Sequence, residues 1–151
     1  MQPQSSFIPA ASVMFLTGLG IPVMAAVNGV LSRHVGGPIA ATALLFAMGC
    51  AMATLLLLAL GAPAWGSLWQ APVWAYFGAG FMVFYIASIT TIGPRIGIGN
   101  AIFFVLLGQL IAAAIIDHFG LFGAIKSALT AQRSIGIVVM AIGVYLAKKV
   151  V

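Results

Sequence analysis

The chain has 151 residues, of which 64% are apolar and only 5% are charged, about a fifth of the charged fraction of a soluble domain. Six basic residues and a single acid, Asp117, give a net charge of +5, and so few charges cannot cover a water-facing surface. Soluble globular, disordered and disulfide-rich proteins are therefore excluded. The basic residues are scattered between apolar runs, as loop anchors are, which argues against nucleic-acid binding and predicts a multi-pass membrane protein in contact with lipid.

Five apolar stretches along the chain predict five transmembrane helices in one domain, residues 1–151. The stretches cover residues 7–30, 39–60, 72–90, 98–116 and 131–147. A helix needs about 20 residues to cross the hydrocarbon core. Because a backbone in lipid must satisfy its polar groups within the segment, the predicted class is an all-α integral membrane protein. The fifth stretch is the shortest, and it reaches a spanning length only if Arg133 snorkels or is paired.

The basic residues divide unevenly between the two membrane sides that five helices define. One side carries Arg33, Arg95, Lys148 and Lys149, and the other carries Lys126 and Arg133. The positive-inside rule places the first group in the cytoplasm. An excess of only two basic residues is nevertheless consistent with insertion in both orientations.

The small size of the chain bears on its assembly, because five helices can hardly enclose a substrate cavity. Small residues recur at helical spacing, for example Ala43, Ala47 and Ala51, and such stripes let helices approach closely in lipid. Many transporters combine two units of inverted topology around a midplane site, and this chain contains no internal repeat. An odd number of helices and a weak charge bias therefore favour an antiparallel homodimer of ten helices.

Motifs in order along nearly the whole chain resemble the YdcZ-type family of small inner-membrane proteins, an EamA-like branch of the drug/metabolite transporter superfamily. The matching residues are Pro22, Asn28, Leu31, Pro38, Phe46, Gly49, Trp74, Gly78, Gly80, Tyr85, Pro94-Arg95-Ile96-Gly97, Gly108-Gln109-Leu110, Asp117-His118-Phe119-Gly120, Gly123, Arg133 and Gly136. The resemblance implies five helices per unit, a ten-helix assembly and dual topology. It also implies a bacterial inner-membrane location and export of small metabolites.

Polar side chains within the apolar stretches are the candidate substrate-binding residues, because such groups are costly in lipid unless they are satisfied. The candidates are Thr17, Asn28, Tyr85, Ser88, Arg95 and Gln109. Asn28 shares a helix face with Thr17, and Pro22 between them frees a backbone carbonyl. For Asn28, Gln109 and the Tyr85/Ser88 pair, the alternative is a hydrogen bond between helices. Arg95 either anchors the chain to lipid phosphate or attracts anions to a cavity mouth.

The remaining charged residues restrict the mechanism. Asp117 and Arg133 lie on the same predicted membrane side, where they are expected to form a structural ion pair joining the fourth and fifth helices. The chain has no glutamate and no mid-span carboxylate, which disfavours exchange of protons for cationic drugs. A small neutral, zwitterionic or anionic metabolite is the more plausible substrate.

Other chemistry finds no support in the residues. Two histidines, one cysteine and one aspartate show no metal-ligand spacing, and no nucleotide loop or catalytic pair is present, so we expect no enzyme, metal or cofactor. The leading hypothesis is a small dual-topology transporter, an exporter, with a midplane cavity near Asn28, Tyr85 and Gln109. The alternatives are a small dual-topology ion channel and an accessory or structural membrane subunit without transport.

Overall fold

The computed structural model describes residues 4–61 and 65–147, and the regular structure of these residues is helical throughout. The α-helices are α1 (Gln4–His34), α2 (Pro38–Leu60), α3 (Gly78–Ile96), α4 (Ile98–Phe119) and α5 (Ala131–Ala147). The all-α prediction is confirmed for this part of the chain.

Among the residues that the structure describes, four segments are long and apolar enough to cross a membrane. They are Phe7–His34, Pro38–Leu60, Val73–Ile96 and Ile98–Phe119. Helix α5 has 17 residues and is therefore about 26 Å long, just below the thickness of the hydrocarbon core. Its crossing of the membrane stays a prediction. Lys148 and Lys149, which belong to the predicted charge bias, lie outside the described residues.

The chain divides into two compact units, Met1–Arg95 and Ile96–Val151. In the first unit α1 packs against α2, and in the second unit α4 packs against α5. The single domain expected for residues 1–151 stays a prediction beside this division.

Residues 35–37 join α1 to α2 in a tight turn. The N–H of Gly37 donates to the carbonyl of Ser32 at 2.9 Å, which is the wide bond of a Schellman motif. Gly36 has φ +86° and Gly37 has φ +129°, a region that side chains with a Cβ rarely adopt. Pro38 then occupies the first turn of α2, where its missing N–H costs nothing and its fixed φ suits a helix. The local sequence thus dictates a short helical hairpin.

Helix α3 differs from the predicted third stretch at both ends. A 3₁₀ segment, Val73–Phe77, precedes the helix, and the helix continues to Ile96 rather than ending near residue 90. Pro94 lies in its last turn, where a proline removes one backbone hydrogen bond without interrupting a long remaining helix. Arg95 is therefore part of α3 and does not lie between two helices as expected from the sequence.

The second unit closes through the connection between α4 and α5. Gly120 adopts the left-handed conformation, with φ +64° and ψ +37°, and its N–H donates to the carbonyl of Ile116, as in a C-terminal helix cap. The connection then folds back, and the N–H of Ser127 donates to the carbonyl of Asp117 at 2.8 Å. These bonds place the start of α5 beside the end of α4.

Buried residues of the first unit concentrate where α1 and α3 end and α2 begins. They are Ala25, Asn28, Gly29, Ala41, Thr42, Ile86, Ile89, Thr90 and Gly93. Large apolar side chains elsewhere in the unit are exposed, for example Phe15 and Leu56. Such a surface fits lipid or protein contact rather than water. The small core lies on the level of Asn28, which is the most buried polar side chain described in the unit.

Candidate functional site

A hydrogen bond between two buried side chains connects α1 to α3 in the first unit. Nδ2 of Asn28 donates to Oγ1 of Thr90 at 2.8 Å, and the exposed fractions of the two residues are 1% and 2%. Asn28 lies six residues before the end of α1, and Thr90 lies six residues before the end of α3, so each is about 9 Å from its helix end. The bond therefore joins α1 to α3 near the C-terminal ends of both helices.

Gly29 and Pro94 lie close to each other beside this bond. A Cβ added to Gly29 would lie 3.8 Å from Cγ of Pro94, an ordinary van der Waals distance. Pro94 also has no N–H to donate to the carbonyl of Thr90 one turn earlier. Asn28, Gly29, Thr90 and Pro94 together form what we call the α1–α3 contact.

Two buried polar atoms in the first unit have no hydrogen-bond partner among the described residues: Oδ1 of Asn28 and the hydroxyl oxygen of Tyr85. Leaving a buried polar atom unpaired costs about 1–3 kcal/mol, and polar groups at membrane depth usually serve a function. Tyr85 lies five residues before Thr90 on α3, about 7.5 Å further from the helix end. The unit therefore holds unsatisfied polar atoms at two depths.

The other candidates in the first unit do not join the Asn28–Thr90 pair. Thr17 is exposed and donates to the carbonyl of Val13 at 2.9 Å, and it lies eleven residues from Asn28, about 16 Å along α1. Ser88 is half-buried on α3, one turn from Tyr85. Arg95 is exposed in the last turn of α3. Thr17 and Asn28, which were inferred to share a helix face, thus lie in different environments, one exposed and the other buried.

Thr90 is the residue of this site that the sequence reasoning did not include. The available signal was its position four residues before Pro94, where the helix loses a backbone bond. Threonines in apolar helices commonly bond to their own backbone, as Thr42 and Thr91 do here. Only the packing of α1 on α3 distinguishes Thr90 from these residues.

Gln109 belongs to the second unit and has a different environment. It lies near the middle of α4, its side chain is exposed, and it has no hydrogen-bond partner among the described residues. An amide in the middle of an apolar helix requires a polar partner or a wet cavity. Gln109 is therefore a polar group that the described part of the chain leaves unsatisfied.

The ion pair expected between Asp117 and Arg133 is present in the second unit. Nη2 of Arg133 donates to Oδ2 of Asp117 at 2.7 Å, with the side chains 31% and 35% exposed, respectively. Next to it, the N–H of Leu129 donates to Nδ1 of His118 at 2.9 Å. Two side chains at the end of α4 thereby bind to the start of α5 and to the connection before it. The charge of Asp117, the single acid of the protein, is neutralised by Arg133.

No cluster of three metal-ligating side chains occurs within the described ranges. An apolar hollow of about 540 Å³ lies in the connection to α3 and is lined by Trp69, Ala71, Val73 and Tyr76. It contains none of the candidate residues and no converging polar side chains of the kind that orient a small polar ligand. The buried polar groups of the first unit, Asn28, Thr42 and Thr90, offer uncharged hydrogen bonding.

Comparison with models of protein families identifies the family of this chain. The model of the family described as "Putative inner membrane exporter, YdcZ" matches residues 10–146. No curated protein matches the chain, and no solved structure does. Because the match covers nearly the whole sequence, the chain belongs to the YdcZ family, and it is a multi-pass protein of the inner membrane.

Proposed function

From its membership of this family, we infer that the chain is an exporter of a small neutral, zwitterionic or anionic metabolite that works as an antiparallel homodimer. Its substrate-binding residues include Asn28 and Tyr85 in the first unit and Gln109 in the second unit, and two copies supply ten helices. All five α-helices cross the membrane, with α5 as the shortest span. Transport follows from alternating exposure of the cavity to the two membrane sides.

The observation that carries this proposal is the exposed, unsatisfied amide of Gln109 in the middle of α4. Lipid cannot solvate an amide, so a second copy or a hydrated cavity must do so. The unpaired oxygens of Asn28 and Tyr85 support the same conclusion. A purely structural membrane subunit has no need for three unsatisfied polar groups.

The charge distribution supports the substrate class. Residues 1–95 contain no acid and no lysine, and their two arginines, Arg33 and Arg95, lie in the last turns of α1 and α3. The only acid in the sequence, Asp117, is paired with Arg133. A cationic substrate would therefore enter a cavity without a negative group to neutralise it, which is unfavourable at low dielectric constant.

Topology is tested by labelling with an impermeant thiol reagent in intact cells, in a Cys50→Ala background. Ser127→Cys reports on the connection between α4 and α5, and Val35→Cys reports on the connection between α1 and α2; five crossings place these connections on opposite sides. Labelling of about half of the molecules at each site is expected for dual orientation. Complete labelling at one site and none at the other would refute the antiparallel homodimer.

Transport is tested in proteoliposomes with a panel of neutral, zwitterionic and anionic metabolites. Gln109→Leu is expected to reduce flux of the transported solute by about tenfold or more, because the proposed hydrogen bond between the amide and the solute, worth about 1.4 kcal/mol, is lost. Gln109→Asn keeps the amide and should retain part of the flux. Leu106→Ala, on the same helix, is the control. Absence of flux across the whole panel would refute the proposal, and ion flux far above carrier rates would replace it with a channel.

A further inference from the structure

We infer that Asn28 and Thr90 form an uncharged binding site for neutral solutes with hydroxyl or amide groups, and that this site is closed in the present structure and opens when α1 separates from α3. The inference rests on the proposed transport function and names the substrate class within it. It adds Thr90 to the binding residues and assigns the α1–α3 contact as the element that moves.

The closed state follows from the burial of the pair. Asn28 and Thr90 are almost completely buried, and Oδ1 of Asn28 is sealed from solvent without a partner. A solute cannot reach this oxygen while the helices remain in contact. The unpaired oxygen also disfavours the closed state, because opening would supply it with water or a solute as a donor.

Few directional interactions hold the α1–α3 contact shut, and the buried side chains beside it, such as Ile86 and Ile89, are apolar. Gly29 has no side chain on the α1 side, and even a Cβ added there would lie 3.8 Å from Cγ of Pro94, an ordinary van der Waals distance. The Asn28–Thr90 bond is the one hydrogen bond described between the side chains of these two helices. The contact also lies about 9 Å from the helix ends, so opening it would lead to Tyr85 further inside.

The chemistry of the opened site selects the ligand. Asn28 would offer an amide, Thr90 a hydroxyl, and Pro94 leaves the carbonyl of Thr90 without its helical donor. Most of the free atoms accept hydrogen bonds, so they match solutes that carry N–H or O–H donors. Residues 1–95 contain neither a carboxylate nor a lysine, and their two arginines, Arg33 and Arg95, lie in the last turns of α1 and α3. A charged solute at the level of Asn28 and Thr90 would therefore lose its hydration without an opposite charge beside it.

The experiment measures opening and charge preference without requiring an identified substrate. Ile86→Cys and Ile89→Cys, each in a Cys50→Ala background, place a thiol at two buried positions of α3 next to Thr90 and leave the Asn28–Thr90 pair intact. Membranes are treated with three methanethiosulfonates that carry a neutral hydroxyethyl, an anionic sulfonatoethyl or a cationic trimethylammonioethyl group. Rates are divided by those of the exposed Ser127→Cys. Ala41→Cys, which is 0% exposed and outside the α1–α3 contact, is the buried control.

The inference predicts that at least one reporter reacts, and that it reacts about tenfold faster with the neutral reagent than with either charged one. Adding Asn28→Leu should slow the reaction several-fold, because leucine removes the unpaired oxygen from the closed contact. Reporters that both remain as unreactive as Ala41→Cys would overturn the opening. A charged reagent that reacts fastest would overturn the substrate class. Reactive reporters combined with no flux in the metabolite panel would leave this site standing and refute transport.

Discussion

For the Asn28–Thr90 bond we predict that the loss of one partner and the loss of the other have different effects on the free energy of unfolding. Thr90→Val removes the acceptor and leaves the amide nitrogen unpaired next to the already unpaired Oδ1, so the free energy of unfolding should fall by about 1–3 kcal/mol. Asn28→Leu keeps the branched shape of the side chain. It loses one bond of about 1 kcal/mol but also removes the unpaired oxygen, and the Thr90 hydroxyl can bond to the carbonyl one turn earlier in its own helix. Its effect should therefore range from neutral to a gain of about 2 kcal/mol.

The assay is unfolding of the purified protein in detergent, followed by circular dichroism, for the wild type, both single variants and the double variant. In Asn28→Leu, the added Thr90→Val should cost less than about 0.5 kcal/mol, because no amide remains to be orphaned. The matched control is Thr91→Val, since Thr91 bonds only to the carbonyl of Ala87 in its own helix. A large loss for Asn28→Leu together with no loss for Thr90→Val would refute the reasoning, because Oδ1 would then have a strong partner.

Two further predictions concern the second unit. Asp117→Asn should lower the unfolding free energy by at most about 1 kcal/mol, because its pair with Arg133 is about one third exposed; the loss should shrink in 1 M salt, and an equal loss at low and high salt would contradict a Coulombic origin. Gly120→Ala should cost about 1 kcal/mol or more in the same unfolding assay, because Gly120 has φ +64° and an added Cβ would lie 3.4 Å from Cβ of Lys126. Gly99→Ala, in α4 with open space around the added Cβ, should be neutral or stabilising, and equal losses for the two glycines would refute the conformational argument.

The helices could be predicted from the sequence because the decisive information is local. Long runs without charge must be helical in lipid, and all five predicted stretches overlap an α-helix. The ends are harder to predict, because a helix usually ends at or before the residue that precedes a proline. Pro94 lies inside the last turn of α3, where a helix can lose one bond and continue. The extra turn changes the position of Arg95 from a connection to a helix.

The site could be predicted only in part, because similar amides meet different surroundings. Asn28 and Gln109 are both polar residues in apolar helices, yet Asn28 is sealed between two helices and Gln109 is exposed. Thr90 is separated from Asn28 by 62 residues, so no local pattern relates them. Asp117 and Arg133 are closer along the chain and sit at facing helix ends, which is why their pairing could be anticipated from topology alone.

The turn between α1 and α2 has a consequence for how the protein enters the membrane during synthesis. Only three residues, two of them glycines with positive φ, connect the two helices. This connection is too short for one helix to cross the membrane while the other remains outside it. We therefore expect α1 and α2 to enter the bilayer together as one hairpin, with the end of α1 and the start of α2 on a common side. The orientation of both helices is then set in a single step, and a longer flexible insertion at Gly36 would allow each helix to be oriented separately.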